Sequence, residues 1–107
     1  TIRDCLIDSV RSNGQGIIFI STNGGSIASG NRIFGFGSGI GIDLDSGATV
    51  SRIIIEGNEI SSNGGGTGMN IDAGCNNNIV HGNRITLVGT GISDSGTSNT
   101  VADNDTD

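Results

Sequence analysis

Lysine, proline, tryptophan and tyrosine are all absent from this chain. Each absence narrows what the chain can do. Without lysine, five arginines stand against eleven acids, for a formal net charge of −6. The basic patch that draws nucleic acid is therefore missing, and at 3% aromatics so are the platforms on which bases stack. An anionic glycan would be repelled unless an arginine cluster or a metal ion intervened. No apolar run approaches the length that crosses a membrane, so no membrane partner is expected. There is no initiator methionine and no signal-peptide pattern. The chain opens in a strand-like run, Thr1-Ile2-Arg3-Asp4-Cys5, which reads as a processed chain or a piece of a longer solenoid. Cys5 and Cys75 fall at different points of the repeat, so two small buried thiols are expected rather than a disulfide. No Cys/His spacing suggests zinc.

What is present is glycine, 20 residues of it, with many Asn, Ser and Ile. Glycine at this level without proline or a G-X-Y period excludes collagen. Apolar residues make up 33% of the chain and are gathered into short runs such as Ile17–Ile20, Ile53–Ile55 and Ile79–Val80. Gly, Asn and Ser clusters separate these runs, as short strands joined by tight turns require. At 107 residues the whole chain, 1–107, is expected to form one domain.

One motif recurs: Gly30-Asn31-Arg32-Ile33, Gly57-Asn58-Glu59-Ile60 and Gly82-Asn83-Arg84-Ile85. Asp103-Asn104-Asp105-Thr106 is a degraded copy and Asp4-Cys5-Leu6-Ile7 another. The steps between the Asn positions are 26, 27, 25 and 21 residues. An aliphatic residue usually precedes the motif by two positions, as Ile2, Ile55, Val80 and Val101, with Ala28 the small exception. A second motif pairs glycine with an apolar residue: Gly16-Ile17, Gly41-Ile42, Gly68-Met69 and Gly91-Ile92. Corners such as Asn23-Gly24-Gly25, Ser46-Gly47, Ala73-Gly74 and Ser95-Gly96 follow it.

A period this short has no room for a crossover helix beside its strands, which excludes βαβ units. The leucine lattice of leucine-rich repeats, a six-residue beat and a G-G-x-G-x-D calcium repeat are all missing. What remains is a chain wound as a coil, each turn stacked on the last through parallel strands about 4.8 Å apart. Period-two alternation sends the aliphatics inward. Glycine tolerates the corner, and an asparagine amide there can accept from one coil and donate to the next. Asn31, Asn58, Asn83 and Asn104 should form such a ladder, with Asn78 and Asn99 starting a second.

The cadence Asn77-Asn78-Ile79-Val80-His81-Gly82-Asn83-Arg84-Ile85 resembles right-handed parallel β-helix repeats of the pectin-lyase-like superfamily. That group includes pectate lyases, polygalacturonases, alginate epimerases and phage tailspikes. The likeness covers nearly the whole chain. It implies an all-β, right-handed parallel β-helix of about four coils, with 21–27 residues per coil, and an extracellular or virion-associated setting. The likeness is carried by scaffold positions, so it says little about activity.

Two outer faces offer chemistry. The position after each ladder residue reads Leu6, Arg32, Glu59, Arg84, Asp105. Arg32, Glu59 and Arg84 form either a groove that contacts sugar or a cross-strand charge ladder. On the second strand Asp43, Asp45, Asn70 and Asp72 share an outer face, with Asn70 expected to contact substrate and the three aspartates to act as catalytic carboxylates. Asp43 and Asp45 should stand about 6.6 Å apart, near the short end of inverting-glycosidase spacing. Asp45 and Asp72 should stand near 5 Å, which suits a retaining pair or a calcium ion. The alternative is a row of solvated strand-face acids. His81 should lie beside Glu56, as an acid–base pair or a simple cross-strand contact. Asp94 falls where an inward aliphatic is expected, which suggests a frayed last coil.

Two functions follow. One is a carbohydrate-binding or carbohydrate-processing β-helix of tailspike or polysaccharide-hydrolase type. A lyase is disfavoured, because the arginines lie on a different strand from the aspartates. The other is a non-catalytic structural or adhesive column. Open coil ends would then invite self-association.

Overall fold

Each sequence period folds as one turn of three short strands. The computed structural model of the chain describes residues 1–8, 13–45, 49–62 and 64–107. The first coil holds β1 (Ile2–Arg3), β2 (Leu6–Ile7) and β3 (Gln15–Phe19). The second holds β4 (Ile27–Ser29), β5 (Arg32–Phe34) and β6 (Ile40–Leu44). The third holds β7 (Ile54–Glu56), β8 (Glu59–Ser61) and β9 (Thr67–Ile71). The fourth holds β10 (Ile79–His81), β11 (Arg84–Thr86) and β12 (Thr90–Asp94). Two strands of a further turn follow, β13 (Thr100–Ala102) and β14 (Asp105–Thr106).

Every pairing between strands is parallel, and the strands stack into three sheets. The first runs β1-β4-β7-β10-β13, the second β2-β5-β8-β11-β14 and the third β3-β6-β9-β12. This is the all-β parallel β-helix of about four coils that the repeat predicts.

The core is the set of columns pointing into the coil. Ala28, Ile55 and Val80 stack from the first sheet, and Ile33, Ile60 and Ile85 from the second, all fully buried. The third sheet adds Ile17, Ile42 and Met69 beside Phe19, Leu44 and Ile71. Each large side chain so buried contributes roughly 1.5–3 kcal/mol. A one-residue slip would turn every column outward, so the apolar pattern holds the register firmly.

The Gly-aliphatic motif has a steric cause. A Cβ on Gly16 would stand 2.6 Å from Ile33 Cγ2, and one on Gly41 2.6 Å from Ile60 Cγ2. The second and third sheets approach too closely at this level for any side chain on the strand that carries the glycine. The following residue then resumes the inward column.

The two-residue corner between first-sheet and second-sheet strands never changes length. It reads Asp4-Cys5, Gly30-Asn31, Gly57-Asn58, Gly82-Asn83 and Asp103-Asn104. Its first residue is left-handed in every coil, with φ of 53° at Asp4, 64° at Gly30, 62° at Gly57, 64° at Gly82 and 53° at Asp103. Its second residue turns inward, where Asn31, Asn58 and Asn83 are at most 1% exposed.

There the amides form a continuous ladder. Asn58 Oδ1 accepts the Asn31 backbone N–H and Nδ2 at 3.0 Å each, and Asn58 Nδ2 donates to Ala28 O at 3.0 Å. Asn83 and Asn104 repeat this pattern, and Asn31 Oδ1 accepts from Cys5 N at 3.0 Å. The shorter second ladder is also present. Asn78 Oδ1 accepts from Ile53 N at 3.0 Å, and Asn99 Oδ1 accepts from Asn78 N at 2.9 Å. The other corners vary from residues 87–89 to residues 45–53, and they absorb the differences in coil length. The expected corner at Ser46-Gly47 lies outside the described residues.

Two expectations change. β12 does not fray, since Asp94 keeps its register opposite Ile71. An acid is accommodated at the end of that column because it is exposed and its Oδ1 accepts from Gly96 N and Asn99 Nδ2, each at 2.9 Å. Both cysteines are free, but only Cys75 is buried. Cys5 is exposed, because it takes the ladder position in the first coil and no described coil covers its outer side.

Asn58→Ala should lower unfolding free energy by about 3 kcal/mol, because it takes a partner from the buried Asn31 backbone and side-chain amides and from Ala28 O on the preceding coil. Urea denaturation with an unchanged m-value would show this. A loss below about 0.5 kcal/mol would mean that the ladder contributes little.

Candidate functional site

The outer face of the third sheet carries Ile18, Asp43, Asn70 and Ser93 in one column, coil upon coil. Backbone bonds from Asp45 N to Phe19 O and from Asp72 N to Leu44 O, each 3.1 Å, continue the stacking past the strand ends. Asp45 and Asp72 are therefore neighbours in a second column. The fold thus brings all four of the expected residues onto one face.

Asp43, Asn70 and Asp72 share one hydrogen-bonded network. Asn70 Nδ2 donates to Asp43 Oδ1 at 2.9 Å and to Asp72 Oδ1 at 2.8 Å. Both amide hydrogens are used, and one side chain ties carboxylates from two coils together. Gln15 Nε2 donates to Asp43 Oδ2 at 3.3 Å. These partners leave Asp43 only 5% exposed, although its strand position faces outward. Among the described residues no group of three or more His, Cys, Asp or Glu side chains is arranged to hold a metal ion.

Arg32, Glu59 and Arg84 stand on the second sheet in adjacent register, with Asp105 beyond them. Arg32 Nε lies 3.1 Å from Glu59 Oε2, and the guanidinium sits 5.1 Å from the Phe34 ring centre. Both partners are substantially exposed, so the pair contributes at most about 1 kcal/mol. The arginine–glutamate set and the aspartate set therefore lie on different sheets, separated by the corner that spans 35–39 and 62–66. His81 does register beside Glu56, but its Nε2 lies 3.6 Å from Asp103 Oδ2 of the next coil.

Gln15 and Phe34 were not identified from sequence. The corner before β3 differs in length from its counterparts, so no spacing rule placed Gln15 against Asp43. Phe34 is partly exposed, whereas the other two phenylalanines, Phe19 and Phe36, are buried. Composition alone cannot separate these cases.

Behind the acidic face lies Cys75, fully buried, its thiol 3.4 Å from Leu44 O. Burial pushes this thiol above its ordinary range. A backbone hydrogen bond at Val50 opposes the rise, and the Asp72 charge adds to it. A thiol held protonated in this way is a packing group rather than a nucleophile.

A column of parallel strands with asparagine-bonded corners and a polar outer face defines a β-helix protein. More particularly, the chain belongs to the right-handed β-helix family, whose description "Right handed beta helix region" matches residues 1–106. No curated protein and no solved structure matches the chain significantly.

Glu59→Arg should place three like charges in a row and lower stability by roughly 0.5–1.5 kcal/mol, a deficit that shrinks in high salt. Thermal melts at two ionic strengths would measure it. A thiol reagent should modify Cys5 in the folded chain and reach Cys75 only on unfolding. Because the folded Cys75 pKa is raised, its contribution to stability is intact below the ordinary value of 9.0. It is lost as pH climbs above that value, where the unfolded thiol ionises first. Equal reactivity of both thiols in the native state would contradict the burial.

Proposed function

We propose that this β-helix binds carbohydrate through the outer face of its third sheet. Asn70 and Asp72 form the contact surface, flanked by Gln15 and Asp45, and the covered Asp43 fixes the Asn70 amide from beneath. The observation that carries this reading is the shared Asn70 amide. It holds carboxylates from successive coils in fixed positions, so a ligand meets a prepared row of acceptors rather than mobile chains. Sugar hydroxyls can donate to the carboxylate and amide oxygens of such a face. Coils rising by about 4.8 Å repeat such groups along an extended glycan.

Binding is favoured over cleavage. A glycosidase needs one carboxyl free to protonate the leaving oxygen and another to direct water or form the covalent bond. Here Asp43 is covered and Asp72 Oδ1 is already bonded to Asn70. The resemblance to pectin-lyase-like repeats, tailspikes among them, supports a polysaccharide partner and an extracellular or virion-associated setting. If the face proves catalytic, hydrolysis by Asp43, Asp45 and Asp72 remains favoured over lyase chemistry.

A second reading is a non-catalytic structural column. In its favour, every described buried side-chain N and O atom has a hydrogen-bond partner, as a scaffold requires. Growth by stacking through the outer strands of each sheet belongs to this reading.

Calorimetry against a panel of neutral and acidic polysaccharides separates the two. The carbohydrate reading expects binding that weakens about tenfold, or about 1.4 kcal/mol, in Asp72→Asn, with melting unchanged. No binding across the panel would leave the structural column. Release of reducing ends by the wild-type chain, lost in Asp72→Asn, would show that the face cleaves its ligand.

A further inference from the structure

Asparagine followed by glycine is chemically unstable, because glycine offers no side chain to hinder attack of its backbone nitrogen on the asparagine amide. The chain contains Asn13-Gly14, Asn23-Gly24 and Asn63-Gly64. Asn63 lies outside the described residues, and the other two pairs have different surroundings.

At Asn23 the reacting groups are restrained. The Gly24 N–H donates to Ser51 O at 2.8 Å, so its nitrogen is held toward the neighbouring coil. Asn23 itself bridges to Ser51 in parallel register; its Oδ1 also accepts from Ser51 Oγ, at 2.9 Å, but the nitrogen that must attack is tied to the next coil. Asn13, by contrast, is exposed, and no β-bridge holds it among the described residues. Its Oδ1 accepts from Ser38 Oγ at 2.6 Å. A hydroxyl donating to that oxygen draws electrons from the side-chain carbon and would stabilise the oxyanion formed on attack.

We propose that Asn13 is a site of spontaneous modification, converting to aspartate and isoaspartate with Ser38 assisting. The Gly14 nitrogen bonds to Asn13 Cγ, and the bond from Cγ to Nδ2 breaks. The Gly14 amide proton passes to the departing nitrogen, which leaves as ammonia. Water then opens the resulting five-membered imide at either carbonyl. One water is consumed, one ammonia is released and nothing is oxidised.

The product makes the chain one unit more negative than −6. The isoaspartate form also lengthens the backbone by one methylene next to Gly14, whose carbonyl accepts from Ile40 N at 3.0 Å and anchors the start of the third sheet. The conversion therefore acts on the first coil of the sheet that carries the polar face, whatever that face binds.

The test is to incubate the folded chain at neutral to mildly alkaline pH and map its peptides by mass spectrometry, with isoaspartate confirmed by enzymatic methylation. Asn13 is expected to convert about ten times faster than Asn23, a difference of about 1.4 kcal/mol in barrier. Urea-unfolded chain should lose this selectivity. Ser38→Ala, checked for an unchanged melt, should slow conversion at Asn13 roughly threefold to tenfold. That is less than the 10²–10³ cost of losing a buried oxyanion donor, because this site is open to water. Equal rates at Asn13 and Asn23 in the folded chain would overturn the proposal, as would an Asn13 that reacts only after unfolding. An unchanged rate in Ser38→Ala would overturn the part assigned to the serine.

Discussion

The asparagine ladder is the constraint on which the rest of the structure depends. Each sharp corner turns a backbone N–H into the column, where the neighbouring side-chain amide is its partner, and leaving it bare would cost about 1–3 kcal/mol. One side chain serves two backbone groups of the preceding coil. Asn58 Oδ1 takes the N–H of Asn31, and Asn58 Nδ2 reaches Ala28 O. Because the same atoms must meet in every coil, this corner stays at two residues while the others vary. The ladder thus indexes the coils, and the apolar columns need only fill the space that it defines.

Fixing that corner fixes which side chains share an outer face. Arg32, Glu59 and Arg84 follow the ladder by one residue and stack directly. Asp43 and Asn70 stack because β6 and β9 pair in parallel register. A hydrogen-bonded bridge between two carboxylates then arises from backbone stacking, since the amide of Asn70 lies within reach of both Asp43 and Asp72. The column beneath thus sets the positions of the polar face, as the proposed carbohydrate contact requires.

The left-handed corner residues show how little freedom the coil leaves to sequence. Asp4 and Asp103 adopt the same φ that glycine takes at positions 30, 57 and 82. Aspartate tolerates this region at modest cost, so the degraded first and last motifs still turn. Asp94 follows the same logic in the core. Its carboxylate ends an apolar column where water and Asn99 can reach it, so the strand survives a residue that would be costly two coils earlier.

Sequence alone determined the coil length, the ladder residues and the inward columns, because all three recur at a fixed spacing and a repeat is legible without coordinates. It also placed Asp43, Asp45, Asn70 and Asp72 on one face, since alternation along a strand is a local rule. Only the tertiary structure decided that Asn70 would bond to both carboxylates and that Gln15 would cover Asp43. The bonds from Asn70 and from Gln15 to Asp43 join residues of different coils through corners of unequal length. It alone turned His81 toward Asp103 and left Cys5 exposed while Cys75 was buried. Periodicity determines where the backbone stacks; which side chains then meet across the stack depends on distances that no single period contains.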